Sequence, residues 1–242
     1  MLASAVAILL AGWLIGATGI GGVLVVPVLN QLQGTPLPQA IGAASLAFAL
    51  PGIAAAWRLR KGGMPLPAGT LALIVAALPG AALGALLVHH VSSRWLLAGL
   101  AALALASGLW GLRRKPATHD AAPLPAFAMA ALGVGVGLGS ALTGTGGPVL
   151  LVPLLMLLHQ PLRTTVPVAQ AIQLPVAICA SAGHAWLGAL DWRLALVLGV
   201  VLLAGALAGQ WAAPRTPALA LHRLVCTLLV LTGAWYALRL LA

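Results

Sequence analysis

Acidic side chains are nearly absent from this chain. Its 242 residues include only two aspartates or glutamates against twelve lysines and arginines, and charged residues make up 6% of the total. Soluble domains carry about 25% charged residues, so this chain lacks the polar surface that a water-soluble fold needs. Hydrophobic residues account for 62% of the sequence instead. The composition predicts an integral membrane protein.

The lack of acidic residues inside the apolar segments also restricts the class of substrate that the protein could bind. Asp120 and Asp191 both fall in connections between segments, whereas cation transporters and proton relays place carboxylates at membrane depth. The sequence therefore argues against a cation as substrate. The net charge of +10 gathers at segment ends, where basic residues set topology and contact lipid headgroups. We expect the lipid bilayer as a partner and no nucleic acid.

Cysteines and catalytic motifs are scarce as well. Cys179 and Cys226 are the only cysteines, and they lie in apolar segments without metal-ligand spacing, so we expect packing residues and neither a metal site nor a cofactor. A P-loop is absent. Ser140 and His184 lack the surroundings of a serine nucleophile and its base. The sequence thus indicates that the protein is not an enzyme.

Long charge-free runs are what the sequence has in place of these features. No charge occurs before Arg58, and none lies between Asp120 and Arg163. Each run exceeds the roughly 20 residues that cross a bilayer. The pattern predicts an all-α polytopic membrane protein with about eight hydrophobic segments. These segments are expected near residues 2–33, 37–57, 67–90, 94–112, 124–159, 164–186, 193–213 and 218–241.

The two parts of the chain resemble each other. Gly19-Ile-Gly-Gly matches Gly144-Thr-Gly-Gly at an offset of 125 (144 − 19), and Pro36 matches Pro161 at the same offset. Chance is a poor explanation for glycines, prolines and hydropathy that match together. The sequence predicts two homologous halves, 1–112 and 124–242, joined by a basic linker at 113–123.

Each half begins with an overlong segment, 2–33 or 124–159, that a glycine cluster interrupts. One alternative is a broken helix that crosses once, which gives parallel repeats. The other is a re-entrant hairpin, which gives inverted repeats. Because both arms are short, the hairpin is slightly favoured. Under both alternatives the basic loops at 58–61 and 113–115 lie on one side, which the positive-inside rule makes cytoplasmic. We expect a multi-pass protein of the cell inner (plasma) membrane.

The glycine breaks are the candidate site. Unwinding inside a membrane is tolerated only where protein or a polar cavity takes over the backbone groups. The freed N–H groups and the helix dipole favour an anion. The candidate residues are Thr18, Gly19, Gly21 and Gly22 in the first break, and Thr143, Gly144, Thr145, Gly146 and Gly147 in the second. The alternative is that the glycines only permit close helix packing.

Polar residues in the following segments extend this candidate site. Ser45 and Gln170 occupy equivalent positions at the 125-residue offset, and Gln173 lies one turn further on. Each could contact a substrate, or could form an interhelical hydrogen bond worth about 1 kcal/mol or less. His184 could be a ligand or a proton carrier, although its place beside Trp186 favours a position at the membrane interface.

The duplicated motifs resemble those of the TauE/SafE-type sulfite exporter family. The resemblance rests on Gly-Ile-Gly-Gly followed by Pro27, and on Gly-Thr-Gly-Gly-Pro followed by Pro153. It implies a secondary transporter, expected to be an exporter, of small sulfur-containing anions such as sulfite or organosulfonates. We expect alternating access around a central glycine-lined site. A channel-like anion pore or a non-transporting membrane subunit is the alternative, and the sequence leaves the oligomeric state undetermined.

Overall fold

The computed structural model describes residues 2–62, 66–88, 90, 92–113 and 124–241. This part of the chain is helical and contains no strand. Nearly all of the expected linker, residues 114–123, lies outside the described residues. The all-α polytopic class predicted from the sequence is confirmed.

The first half contains six helices in the described residues. They are α1 (Leu2–Thr18), α2 (Val25–Leu32), α3 (Leu37–Ala47), α4 (Ala49–Lys61), α5 (Thr70–Leu87) and α6 (Ser93–Arg113), with a 3-10 turn at Gly21–Leu24 before α2. The second half continues with α7 (Ala126–Thr143), α8 (Pro148–Leu157), α9 (Leu162–Trp186), α10 (Trp192–Ala212) and α11 (Ala218–Leu241).

Five stretches in the described part of the chain are long and apolar enough to cross a membrane. They are Leu37–Lys61, Thr70–Leu87, Ala126–Thr143, Thr164–Trp186 and Trp192–Arg215. The first of these joins α3 and α4 into one nearly continuous helix. The expected number of eight hydrophobic segments stays a prediction.

Helix directions show how the first segment is folded. Leu9 lies against Gly205 and Trp13 lies against Gly209, so α1 runs parallel to α10. Two successive membrane crossings would run in opposite directions. The direction of the next helix, α3, therefore distinguishes a single crossing from a hairpin.

Helix α3 also runs parallel to α10. Gly42 lies beside Ala189, just before α10, and Ala47 lies beside Gly199 within it. Since α1 and α3 point the same way, the chain between them must turn back. Gly21 accordingly packs against Ala11, two turns before the end of α1. The first segment is a hairpin.

The second hairpin is built in the same way. Helix α7 runs parallel to α5, because Gly133 contacts Leu73 and Gly137 contacts Ala77. Helix α9 also runs parallel to α5, since Cys179 Sγ donates to Leu78 O and Gly183 packs on Ala85. The chain therefore reverses between α7 and α9. This matches the hairpin alternative, which the sequence favoured only slightly.

The two halves interlock through glycine-mediated contacts. Helix α1 of the first half packs on α10 of the second, and α7 of the second half packs on α5 of the first. A Cβ at Gly12 would lie 2.5 Å from the carbonyl oxygen of Leu202, and one at Gly137 would lie 2.2 Å from that of Ala77. Both residue pairs are related by the 125-residue offset (137 − 12 and 202 − 77). Such close backbone approach is the usual role of small residues between membrane helices.

The hydrophobic core is divided into two main clusters, each of which takes helices from both halves. One cluster combines residues of α1, α2 and α3 with residues of α10, and it also includes Ala177 of α9. The other combines residues of α5 with residues of α7, α8 and α9, and it also includes Ile20 of the first break, Ala104 of α6, and Val225 and Leu229 of α11. Each cluster thus centres on one hairpin and the helix from the other half on which that hairpin packs.

Tryptophans mark the ends of the helices. Seven of them are at least 44% exposed, which fits an interfacial aromatic belt. They are Trp57, Trp95, Trp110, Trp186, Trp192, Trp211 and Trp235. Two carry a cation over the ring, with Lys61 Nζ 5.0 Å from the Trp57 centroid and the Arg215 guanidinium 3.8 Å from the Trp211 centroid.

Candidate anion site

The first break follows directly from the end of α1. Gly19 adopts φ +83°, a left-handed conformation that side chains disfavour, and this turns the chain back. The Thr18 hydroxyl donates to Leu14 O at 2.8 Å and accepts from Ile20 N–H at 3.2 Å. Thr18 therefore closes the end of the helix, and its side chain is fully buried.

The second break contains three left-handed glycines, Gly144, Gly146 and Gly147, with φ of +64°, +79° and +79°. The Thr143 hydroxyl donates to Gly139 O at 2.7 Å and lies 2.9 Å from the Thr145 hydroxyl. Ser140 Oγ accepts a hydrogen bond from Gly147 N–H.

The two breaks meet at the centre of the protein. A Cβ on Gly22 would lie 2.3 Å from Thr145 O and 3.1 Å from the Phe48 ring. A Cβ on Gly146 would lie 2.7 Å from the same ring. A Cβ on Gly19 would lie 3.5 Å from Pro148, so Gly19 also faces the second break. The structure thus brings the two glycine breaks together on the Phe48 ring, although they are far apart in sequence.

Backbone donors are available at the second break. Among the described residues no group accepts a hydrogen bond from Gly146 N–H, whereas Gly144 N–H and Thr145 N–H donate to Ser140 O. Helix α8 begins at Pro148 immediately after these glycines. The positive end of its dipole therefore points into the buried centre, where an anion would be stabilised.

Two glutamines of α9 connect this helix to the centre. Gln170 Nε2 donates to Gly16 O at 3.2 Å, and Gln173 Nε2 donates to Phe48 O at 3.3 Å. Both bonds are of the interhelical kind that the sequence left open as an alternative. Gln173 Oε1 is buried and has no donor in the described residues. Ser45 is buried as well.

The interfacial position expected for His184 is wrong. His184 has no exposed surface, and its Nε2 lies 3.2 Å from Ala141 O, inside the second hairpin. Its neighbour Trp186 is 87% exposed, as expected for a tryptophan at the membrane interface. A helix turns about 200° over two residues, so neighbours this close in sequence can face opposite environments.

A cavity of about 460 Å³ reaches the first break. Ile20 and Gly21 form one wall, and Leu231, Thr232 and Tyr236 of α11 form the other. Tyr236 Oη donates to Val23 O at 3.1 Å across it. None of its lining residues belongs to the second break. The site is therefore closely packed at Phe48 and open on one side of the first hairpin.

Sequence reasoning missed Phe48 and Tyr236. Phe48 is 1% exposed and contacts both breaks. A signal for it existed, because Phe48 is one of only two phenylalanines and aligns with Gln173 at the 125-residue offset (173 − 48). Tyr236 is the single tyrosine, but nothing in the sequence places it beside the first break.

The chemistry of this centre is that of a neutral, dipole-lined site. The described residues around Phe48 offer amide donors, hydroxyls and two carboxamides, and the two glycine breaks themselves contain no charged residue. In the part of the chain that the structure describes, no three histidine, cysteine or acidic side chains come together to hold a metal. Such a site can bind a small anion through backbone N–H groups.

Multiple membrane-length helices and two buried, glycine-broken hairpins define a polytopic α-helical membrane protein of the transporter class. A family model described as Sulfite exporter TauE/SafE matches residues 4–236, nearly the whole chain. The chain belongs to the sulfite exporter TauE/SafE family, whose members are membrane transporters. No curated protein and no solved structure gives a significant match.

Proposed function

We propose that the protein is a secondary transporter that exports small sulfur-containing anions, such as sulfite or organosulfonates, across the inner (plasma) membrane. The observation that carries this proposal is the meeting of the two glycine breaks at Phe48. An anion buried there needs hydrogen-bond donors to replace water. Gly146 N–H and the start of α8 supply donors in a region without acidic side chains. Membership of the sulfite exporter family supports the substrate class.

The proposed site comprises the two breaks together with polar residues of α3 and α9. It includes Thr18, Gly19, Gly21, Gly22, Ser45, Thr143, Gly144, Thr145, Gly146, Gly147, Gln170, Gln173 and His184. The glycines serve two purposes in this proposal, since the close packing at Gly22 and Gly146 also places backbone donors near the centre.

Alternating access would involve the two hydrophobic clusters and not the two sequence halves. Because α1 packs on α10 and α7 packs on α5, the halves cannot separate without breaking their closest helix contacts. We propose that the α1–α2–α3–α10 cluster moves against the α5–α7–α8–α9 cluster, around Phe48.

In the proposed topology each half crosses the membrane three times, and each hairpin enters and leaves the membrane on the same side. The two halves are then inverted repeats. Helices α6 and α11 support this relation because they pack antiparallel, with Gly111 near Cys226 and Ala101 near Gly233. Seven of the ten basic residues in the described part of the chain then lie on the cytoplasmic side. They are Arg58, Arg60, Lys61, Arg113, Arg163, Arg215 and Arg223.

Efflux from proteoliposomes loaded with sulfite tests the proposal. A potential that is negative inside assists anion export by about 2.3 kcal/mol per charge per 100 mV, so export needs no strong proton relay. We expect saturable, protein-dependent efflux that accelerates with this potential, and counterflow when unlabelled sulfite is added outside. Gly135→Ala is a matched control for reconstitution, because a Cβ there meets no atom within 4 Å.

Three other results would contradict the proposal in different ways. Efflux that ignores the imposed voltage would contradict electrogenic anion export. Efflux without saturation or counterflow would indicate a channel-like pore. The absence of protein-dependent flux for sulfite and organosulfonates would indicate a non-transporting membrane subunit. The packing of Phe48 between the breaks favours a carrier over an open pore.

A further inference from the structure

We propose that the form of substrate this site selects is a singly charged oxyanion that carries one hydrogen-bond donor. For sulfite, this form is the hydrogen sulfite monoanion, HO–SO₂⁻, and not the sulfite dianion. The inference rests on the proposed function and concerns the same site. It comes from one unpaired acceptor, Gln173 Oε1, and from the placement of lysines and arginines at the ends of the helices around it.

The orientation of the Gln173 carboxamide is fixed by its partner. Phe48 O is a carbonyl oxygen and can only accept, so the amide nitrogen of Gln173 must face it, at 3.3 Å. Gln173 Oε1 is therefore turned away from the carbonyl oxygen of Phe48. The residue is 1% exposed, and no described group donates to this oxygen. A buried acceptor without a donor is unfavourable, and a ligand that brings a donor removes this cost.

The donors of the site and this acceptor share one neighbour, Phe48, whose carbonyl oxygen binds Gln173 and whose ring faces Gly146. Phe48 contacts Gly146, whose N–H has no acceptor among the described residues. The centre thus offers N–H groups for negative oxygens and one oxygen for an O–H group. Hydrogen sulfite has both kinds of group. The sulfite dianion and simple alkylsulfonates have acceptors only.

The charge of the surroundings favours the monoanion as well. The desolvation cost of an ion rises with the square of its charge, so a dianion costs roughly four times as much to bury as a monoanion. In the helices around Gln173, the lysines and arginines lie in the first or last turn. Helices α3, α5, α7 and α8 contain no ionisable residue, and α4 carries its charges at Arg58, Arg60 and Lys61, in its last turn. Helix α9 itself contains Arg163 in its first turn, Cys179 and His184.

The first experiment measures sulfite flux against pH at constant total sulfite. The pH is set equal on both sides of reconstituted liposomes, from one unit below to one unit above the second pKa of sulfurous acid. The monoanion fraction falls about tenfold over this range, and we expect flux to fall by about the same factor. Methanesulfonate stays a monoanion throughout, so its flux reports any pH effect on the protein and should change little.

Two results of this experiment would overturn the inference. One is a sulfite flux that rises with pH, and the other is a current that carries two charges per sulfur. Flux of neither anion would contradict the proposed function itself, so the two failures are distinguishable. His184→Gln tests whether the proton is carried by the substrate or by the protein. If the substrate carries it, the pH profile of sulfite flux keeps its shape in this variant. If His184 carries it, the profile changes.

The second experiment tests the acceptor directly. Gln173→Met keeps the approximate volume and removes the carboxamide oxygen. The ratio of hydrogen sulfite to methanesulfonate flux should fall about fivefold to tenfold, as expected for one lost hydrogen bond. Gln210→Met is the matched control, because Gln210 is a buried glutamine of α10 outside the site. The ratio of hydrogen sulfite to methanesulfonate flux in Gln210→Met should equal that of the unsubstituted protein.

Equal loss of both fluxes in Gln173→Met would overturn the role assigned to Gln173 Oε1. Thermal unfolding in detergent shows whether the variant is folded. If it is not, the pH series on the unsubstituted protein still decides between the monoanion and the dianion.

Discussion

Single glycines hold the backbone of the two breaks in conformations that other residues disfavour. Gly146 is the most constrained of these, because its φ is +79° and its Cα faces the Phe48 ring. A left-handed conformation costs a residue with a Cβ roughly 1–2 kcal/mol. At Gly146 the Cβ would also overlap a buried ring. Backbone shape and the position of Phe48 are therefore coupled at this residue.

We expect Gly146→Ala to reduce sulfite efflux by roughly 10- to 100-fold, because even a small displacement of binding groups is costly. Gly34→Ala is the control, since Gly34 also has a positive φ, +68°, but a Cβ there meets no atom within 4 Å. Alanine at this position should introduce backbone strain without a steric overlap, so we expect Gly34→Ala to retain efflux. Efflux is measured in proteoliposomes at equal protein content. Normal efflux by Gly146→Ala would exclude the second break from the site.

At the scale of elements, helix pairs are held together by backbone contact. Each of α1, α5, α7 and α10 carries two glycines four residues apart that face a carbonyl of the partner helix. Lipid offers no hydrophobic driving force for helix association, so close packing provides much of the stability. In α7, Gly137 makes such a contact with Ala77 O, whereas Gly135 makes none.

We expect Gly137→Ala to lower the free energy of unfolding by about 1–3 kcal/mol, because its Cβ would lie 2.2 Å from Ala77 O and force α5 and α7 apart. In the same helix, Gly135→Ala should stabilise by about 0.5–1 kcal/mol, since alanine replaces glycine without a contact. Thermal unfolding of both variants in detergent gives the comparison. Equal midpoints would show that the α5–α7 contact contributes little.

At the scale of the whole molecule, two sets of parallel helices determine the path of the chain. Helices α1 and α3 both run parallel to α10, and α7 and α9 both run parallel to α5. Each first segment must therefore return to the side from which it started. The hairpins then enter from opposite sides and meet at Phe48, which gives the protein one shared centre.

This path of the chain predicts which introduced cysteines can be labelled from the same side of the membrane. Ala3→Cys at the start of α1 and Gly34→Cys before α3 should react with an impermeant maleimide from one face, and Gly62→Cys after α4 from the other. The unsubstituted chain, with Cys179 and Cys226, gives the background. Reaction of Ala3→Cys from the same face as Gly62→Cys would mean that the first segment crosses once.

The sequence by itself determined the membrane class, the positions of the breaks and the matching offset of 125 residues. These features follow from composition, charge placement and glycine spacing, which are local properties of the chain. It also located Thr18, Gly146 and Gln173 in one candidate set, although their role as a site is still a proposal.

Only the tertiary structure decided the hairpins, the interlocking of the halves, the central position of Phe48 and the burial of His184. Each depends on which distant segments pack together. An apolar helix can pack in several directions with similar local energy, and a glycine permits a close approach without specifying the partner. The carbonyls that face Gly12 and Gly137 belong to helices from the other half. Such partners are selected by the packing of the whole chain, so local sequence patterns did not reveal them.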